Sequence, residues 1–167
     1  MKAIIENQLT FEFPNNFDVI KYDDSQFFRK NLIKISDKIK AVDIIAVNHS
    51  TTYLIEIKDY RHPNTRSKTV DLVDIVIQKV LSTLSALLPM KMNGTSEEKN
   101  IAEKAFSTKR IAVILHLEIP KYKTKIKQSF IKQDNLQIDL KRKIKPIGVY
   151  PKVVSKDKMG PFKWKVY

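Results

Sequence analysis

Two short apolar runs joined by a polar turn stand out in residues 41–59, which read AVDIIAVNHSTTYLIEIKD. Apolar runs of this length, bounded by turn-forming residues, are typical of buried strands. A turn centred between His49 and Ser50 would place Asp43 directly opposite Glu56 in an antiparallel pair. The pattern therefore predicts a hairpin that carries two facing carboxylates inside an otherwise apolar setting.

The charged residues of this hairpin share one face. Side chains directly opposite each other have Cβ atoms roughly 4.5–5.5 Å apart, and Lys58 joins the face of Glu56 because strand side chains alternate. The remaining positions are apolar on both faces, as in a central strand. Two buried carboxylates repel each other, and a single lysine leaves one negative charge uncompensated. A hard divalent cation with oxygen ligands would resolve this conflict.

The pattern around the hairpin predicts a mixed α/β domain with a helix–hairpin–helix–strand centre. Helical spacing predicts an amphipathic helix before the hairpin and a strongly apolar helix after it, which we expect Pro89 to end. The predicted helices cover residues 26–36, 70–88, 101–106 and 134–145, the predicted strands cover 8–13, 17–22, 110–119, 147–154 and 162–167, and a mobile linker is expected at 90–100.

Length and composition favour one domain over residues 1–167. The chain has no cysteine, which removes disulfides, zinc–thiolate sites and thiol nucleophiles from consideration. It has no run of about 18 apolar residues, and its first six residues reach a charge too early for a signal-peptide core. These features predict a soluble cytoplasmic protein that does not associate with membranes.

The positive charge is concentrated in the C-terminal part of the chain. Residues 121–167 contain 14 Lys and Arg and three acidic residues, a net +11 of the total +13. Such a field attracts polyanions, and we favour nucleic acid over a ribosomal contact or an acidic protein partner. Residues 121–127 could form a charged edge strand or a solvated segment, and their lysines, with those at 141–145, could follow a phosphate backbone. No base-reading motif is evident.

The strand-borne Asp43, twelve intervening residues and then Glu56-Ile-Lys58 resemble the PD-(D/E)xK nuclease superfamily. The resemblance covers roughly residues 23–117 and implies a restriction-endonuclease-like αβββαβ core, a mixed central sheet flanked by helices, with 121–167 as a basic extension. The chain departs from the family pattern at Val42, where proline is usual. The short motif is not specific by itself, because Asp139-Leu-Lys141 also matches it within a basic helical segment.

The resemblance implies a role for each hairpin residue. Asp43 and Glu56 would bind Mg²⁺, or Mn²⁺ in its place, together with the Ile57 carbonyl. Lys58 would orient or deprotonate the attacking water and stabilise the charge that develops on the phosphorus oxygens. The implied activity is metal-assisted hydrolysis of phosphodiester bonds in DNA.

Accessory residues are less clearly defined. Many family members take a further acid from the first helix, where Asp24 is slightly favoured over Glu6 and Glu12. Some place a Gln or Lys from the helix after the hairpin near the metal, a role open to Gln78 and Lys79, although the tyrosine of exonuclease-like members is replaced by Ser82. Basic loop residues are candidates for contacts with phosphates near the metal, namely Arg61, Arg66 and Lys68.

Two alternatives to a DNA nuclease remain at this point. The charged trio could be a structural ion pair within a catalytically inactive module that binds nucleic acid or protein, or the enzyme could act on RNA. Specificity would have to come from loops, from a homodimer or from a partner subunit, and a role in defence or mobile-element biology is an association only. We predict a turn position for His49 and core positions for His116 and Trp164, while the role of His62 is open.

Overall fold

The computed structural model describes residues 1–61, 72–120 and 132–167, which form an α/β architecture of two sheets and flanking helices. The predicted strand at 121–127 lies outside the described residues. The strands are β1 (Lys2–Glu6), β2 (Leu9–Phe13), β3 (Asp18–Lys21), β4 (Ile44–Val47), β5 (Thr51–Asp59), β6 (Arg110–Glu118), β7 (Tyr150–Val154) and β8 (Lys165–Val166). The helices are α1 (a π turn at Phe28–Leu32 continued by Ile33–Ile35), α2 (Leu72–Asn93), α3 (Ser96–Ser107) and α4 (Gln133–Ile144), with a 3₁₀ turn at Lys145–Ile147.

A mixed five-stranded sheet has the order β3-β4-β5-β6-β7. Strands β3, β4 and β5 are antiparallel neighbours, whereas β5, β6 and β7 run parallel. Parallel neighbours need a long crossover, which α2 and α3 provide between β5 and β6. In the β4–β5 hairpin Ile45 lies opposite Leu54 and Val47 opposite Thr52. This register is the one predicted from the sequence.

Two cores lie on opposite faces of this sheet. On one face, residues such as Leu54 and Leu115 pack against α2, α3 and α4. On the other face, Phe11 and Trp164 of a three-stranded β1-β2-β8 sheet cover the five-stranded sheet. The predicted core positions of Trp164 and His116 are confirmed, since both are buried, and His49 lies exposed in the hairpin turn as predicted.

Helix α2 continues through Pro89, so the prediction that this proline ends the helix was wrong. A proline inside a helix removes one backbone hydrogen bond and costs about 3 kcal/mol. The next residue, Met90, is completely buried in the helical core, and its burial helps to offset that cost. Among helices of the described residues, α2 alone is long and apolar enough to cross a membrane by length and composition, and seven of its residues are buried.

The mobile linker predicted at residues 90–100 was also wrong. Helix α3 begins directly after Thr95, whose side chain accepts from the Glu98 N–H while the Glu98 carboxylate accepts from the Thr95 N–H. This capping box satisfies two backbone donors at the helix start. A Cβ atom at Gly94 would lie 2.7 Å from the Met90 carbonyl oxygen, so the tight junction between α2 and α3 requires glycine.

Strand β7 is an edge of the five-stranded sheet, and helix α4 covers it. The side-chain nitrogen of Gln137 donates to the Pro151 carbonyl over 2.9 Å. The side-chain oxygen of Gln137 accepts from the Val153 N–H over 2.9 Å. One side chain thereby occupies a donor and an acceptor that an added strand would need. Helix α4 agrees with the predicted basic helix and also contains the Asp139-Leu-Lys141 sequence.

Candidate functional site

Asp43 and Glu56 are held at the open end of the β4–β5 hairpin. Asp43 precedes β4 directly, and its Oδ2 accepts from the Ile57 N–H of β5 over 2.6 Å. The Asp43 carbonyl accepts from the Tyr22 N–H over 2.8 Å, which fixes the turn after β3 against it. Both carboxylate residues are buried, with 7% of Asp43 and none of Glu56 exposed.

Two lysine ammonium groups neutralise the two carboxylates. Lys58 Nζ lies 2.7 Å from Glu56 Oε1. Lys79 Nζ enters from α2 and lies 2.7 and 2.8 Å from the Glu56 oxygens and 3.2 Å from Asp43 Oδ1. The position of the Lys79 ammonium is therefore one at which both carboxylates can contact a single cation.

Burial dominates the electrostatics of these groups. Burial raises the pKa of Glu56, the charge of Asp43 raises it further, and the two lysines oppose both effects without cancelling them. Burial alone would lower the pKa of Lys79, but the charges of Glu56 and Asp43 outweigh it, so that pKa is raised. Lys79 is therefore protonated over the whole physiological pH range.

A third carboxylate, Asp23, was not identified from the sequence as a residue of this site. Burial raises its pKa to about 6, with the charge of Asp43 as the second cause, and its Oδ1 is buried without a hydrogen-bond partner in the structure. The Tyr22–Asp43 backbone hydrogen bond brings this turn next to the hairpin. The contact joins residues about twenty positions apart, and no local pattern around Asp23 indicates it.

The three acids that the sequence offers as a further metal ligand, Asp24, Glu6 and Glu12, have other surroundings. Asp24 is 56% exposed, and its carboxylate pairs with Arg29 over 3.1 Å. Glu6 pairs with Lys21 over 2.9 Å, and Glu12 lies on β2 of the three-stranded sheet. Asp23, rather than Asp24, is the carboxylate of this turn that is coupled to Asp43.

The remaining accessory candidates divide into three groups. Lys79 joins the site, whereas Gln78 is exposed and donates to the Lys38 carbonyl over 3.4 Å. Arg61 is held by Asp59, whose oxygens lie 2.9 and 2.6 Å from its Nε and Nη2. Asp59 follows Lys58 in β5 and so projects from the opposite face of the sheet. His62, Arg66 and Lys68 lie outside the described residues.

The donor set suits a hard cation that keeps part of its hydration shell. Within residues 1–61, 72–120 and 132–167, no group of three or more His, Cys, Asp or Glu side chains is arranged to hold a metal ion. Two convergent carboxylates fit Mg²⁺, which is usually bound by one or two carboxylates, with waters and substrate oxygens completing the shell. The Ile57 carbonyl points to the same side of β5 as the Ile57 N–H and hence toward Asp43. The unpartnered Asp23 oxygen lies in the adjoining turn and does not complete a group of three metal-ligating carboxylates among the described residues.

Comparisons with known proteins identify one curated relative and no family. No family model matches the chain, and no solved structure matches it. A protein named cysteine–tRNA ligase from Neisseria meningitidis serogroup A / serotype 4A is 33% identical over 169 residues, a match that covers 83% of this chain. The match covers 24% of the ligase, so the chain is similar to about a quarter of that protein's length.

Proposed function

We propose that this protein is a Mg²⁺-dependent endonuclease with a restriction-endonuclease-like fold, and that it hydrolyses phosphodiester bonds in DNA. One observation carries the proposal: Asp43 and Glu56 converge on a single cation position, with Lys58 in contact with the same Glu56. Two carboxylates directed at one point are an arrangement by which proteins bind Mg²⁺.

The order of the elements supports the same assignment. An antiparallel meander of β3, β4 and β5 is followed by a helical crossover to a parallel strand β6, as the restriction-endonuclease-like core requires. One difference is that α1 lies between β3 and β4, whereas the αβββαβ order begins with its helix. The hairpin and the crossover helix, which carry the proposed site, follow the expected order.

Each residue of the site has a defined task in this chemistry. When bound, Mg²⁺ polarises the phosphate and lowers the pKa of a coordinated water. Asp43 and Glu56 would hold the cation at a position that is largely closed to bulk solvent. Lys58 stabilises the negative charge that grows on the phosphate oxygens in the transition state. Lys79 neutralises the carboxylates until the cation is bound.

The test is metal-dependent cleavage of supercoiled and linear DNA with Mg²⁺, Mn²⁺ or EDTA. We expect nicking by the wild type with either metal, no cleavage by Glu56→Gln, and a loss of roughly 100-fold for Lys58→Ala. Glu103→Gln is the matched control, because it makes the same chemical change at an exposed carboxylate of α3 and should leave the rate unchanged. Absence of metal-dependent cleavage, or cleavage unaffected by Glu56→Gln, would contradict the proposal.

RNA is the second candidate substrate, and one observation favours it: the curated relative is named as a ligase that acts on tRNA. The cation site would serve either polymer, because the scissile phosphodiester is the same. Parallel assays with ribose and 2′-deoxy substrates of one sequence distinguish the two. Binding of nucleic acid without turnover in any metal would identify the inactive module instead. A homodimer or partner subunit, a defence or mobile-element role and a cytoplasmic location stay predictions.

A further inference from the structure

Two contacts place basic segments against the first turns of α2. Asp74 forms an ion pair with Lys143 of α4. Gln78, four residues later, bonds the carbonyl of Lys38 in the loop between α1 and β4. Residues four apart lie on the same row of a helix, separated by about 6 Å along its axis. Helix α4 and the loop at residues 36–40 thus contact successive positions of one row of α2.

Both basic segments present exposed cationic side chains. The last turn of α4 and the residue after it carry Lys141, Arg142, Lys143 and Lys145, all of them exposed. Lys143 and Arg142 pair with Asp74 and Asp139, while no ion pair is found for Lys141 or Lys145 within the described part of the chain. Lys38 and Lys40 are exposed on the 36–40 loop.

These segments lie close to the Asp43–Glu56 site. Lys79, whose ammonium contacts both carboxylates, follows Asp74 by five residues, which is about 7.5 Å along the axis of α2. Lys40 precedes Asp43 by three residues. A polyanion that contacts both basic segments therefore runs along the N-terminal half of α2, the helix that carries Lys79.

We propose that the last turn of α4 and the 36–40 loop together form a binding surface for a phosphodiester backbone, which directs one strand of nucleic acid toward Asp43 and Glu56. The assignment of this ligand as the substrate rests on the proposed nuclease function. Flexible lysines neutralise phosphates without reading bases, so this surface supplies affinity and orientation without sequence preference. Binding at this surface depends on the position of these charges beside α2, so the net charge of the chain alone would not produce it.

Two triple variants separate position from net charge. Lys141→Gln, Arg142→Gln and Lys145→Gln together remove three charges from the α4 surface. Lys152→Gln, Lys163→Gln and Lys165→Gln remove three exposed charges from β7 and the three-stranded layer, on the other side of the five-stranded sheet. Both variants should melt like the wild type, because all six side chains are exposed. Lys38→Gln with Lys40→Gln tests the loop.

Binding is measured by fluorescence anisotropy with short DNA and RNA duplexes in EDTA, where no cleavage occurs, over a series of salt concentrations. We expect the α4 variant to bind about tenfold more weakly, with a slope of log K against log salt that is shallower by about two to three. The loop variant should lose about one to two units of slope, and the control variant should bind like the wild type. Equal losses in the α4 and control variants, or no binding by the wild type, would overturn the surface.

Cleavage assays on the same proteins distinguish this proposal from the proposed function. If the wild type cleaves and the α4 variant binds and cleaves as well as the wild type does, the binding surface is refuted and the nuclease function stands. If the wild type does not cleave but its binding depends on the α4 charges, the nuclease function is refuted and the binding surface stands.

Discussion

The Lys79 ammonium lies 2.7 and 2.8 Å from the two carboxylate oxygens of Glu56. It also lies 3.2 Å from Asp43, so it stands where a divalent cation bound by both residues would stand. An ammonium and a metal ion cannot share that position, and each must displace the other. Metal binding at this site would therefore be a competition with a group that belongs to the protein.

Replacing Lys79 by methionine should make the metal-free protein less stable and more responsive to metal. The change leaves two buried carboxylates with only Lys58 as partner, and we expect the free energy of unfolding in EDTA to fall by about 2–3 kcal/mol. Added Mg²⁺ or Mn²⁺ should then raise the melting temperature of the variant more than that of the wild type. Melting curves in EDTA and across a metal titration measure both effects.

The control for this prediction is Lys104→Met, which removes an exposed lysine that pairs with Asp18 over 2.8 Å. Exposed pairs contribute about 1 kcal/mol or less, and Asp18 lies opposite Val47, at the end of β4 away from Asp43. Its melting temperature should respond to metal as the wild type does. Equal metal responses of Lys79→Met and wild type would contradict the competition.

The sequence allowed the hairpin half of this site to be predicted, but not the half contributed by the β3–α1 turn. The register of β4 and β5 follows from a short turn and alternating faces, so the opposition of Asp43 and Glu56 could be worked out from local sequence. The position of Asp23 depends on a hydrogen bond between Tyr22 and Asp43, and nothing near Asp23 specifies that long-range contact. Its neighbour Asp24 has an equally suitable side chain but turns to solvent.

Asp23→Asn should therefore stabilise the metal-free protein and weaken its response to metal. The substitution removes a partly buried charge that repels Asp43, and we expect a gain of about 1 kcal/mol after allowance for solvent screening. The same change removes a negative charge that would attract the cation, so a higher Mn²⁺ concentration should be needed for the half-maximal rise in melting temperature. The adjacent Asp24→Asn is the matched control. If both variants shift the metal titration equally, Asp23 has no special role.

The errors in the predicted fold also have physical causes. Pro89 was expected to end α2 because proline breaks helices, but the burial of Met90 one residue later holds the chain in helical conformation. The supposed linker contains a capping box, and its Thr95 and Glu98 spacing was available in the sequence as a helix-start signal. The continuation of α2 through Pro89 could be predicted only with knowledge of the tertiary packing. The start of α3 at Thr95 could have been predicted from the local sequence.

Gln137→Ala should expose the edge strand β7. The Gln137 amide bonds both Pro151 and Val153, and loss of two such bonds should lower the free energy of unfolding by about 1–2 kcal/mol. The freed backbone groups form an edge that can pair with another chain, so self-association should also increase. Urea denaturation and light scattering measure the two effects. Gln133→Ala, which removes a single 3.4 Å bond to Leu117, should remain in the wild-type oligomeric state, and the prediction fails if Gln137→Ala does so too.

Glu118 should contribute to stability in a way that depends on pH. Burial alone would raise its pKa, but hydrogen bonds from His116 and from the Lys156 N–H outweigh it, so the pKa of Glu118 is lowered from its usual value of 4.5. A carboxylate whose pKa is lower in the folded state stabilises the protein fully above the unfolded pKa, and this contribution is lost as pH falls through the folded pKa. Glu118→Gln should thus cost about 1 kcal/mol at neutral pH, and the difference from wild type should narrow progressively at pH values below 4.5. Urea denaturation of both proteins from acid to neutral pH measures this change in the free energy of unfolding, with the exposed Glu97→Gln as control. If the stability difference between Glu118→Gln and the wild type is the same at acid and neutral pH, the charge of Glu118 contributes nothing.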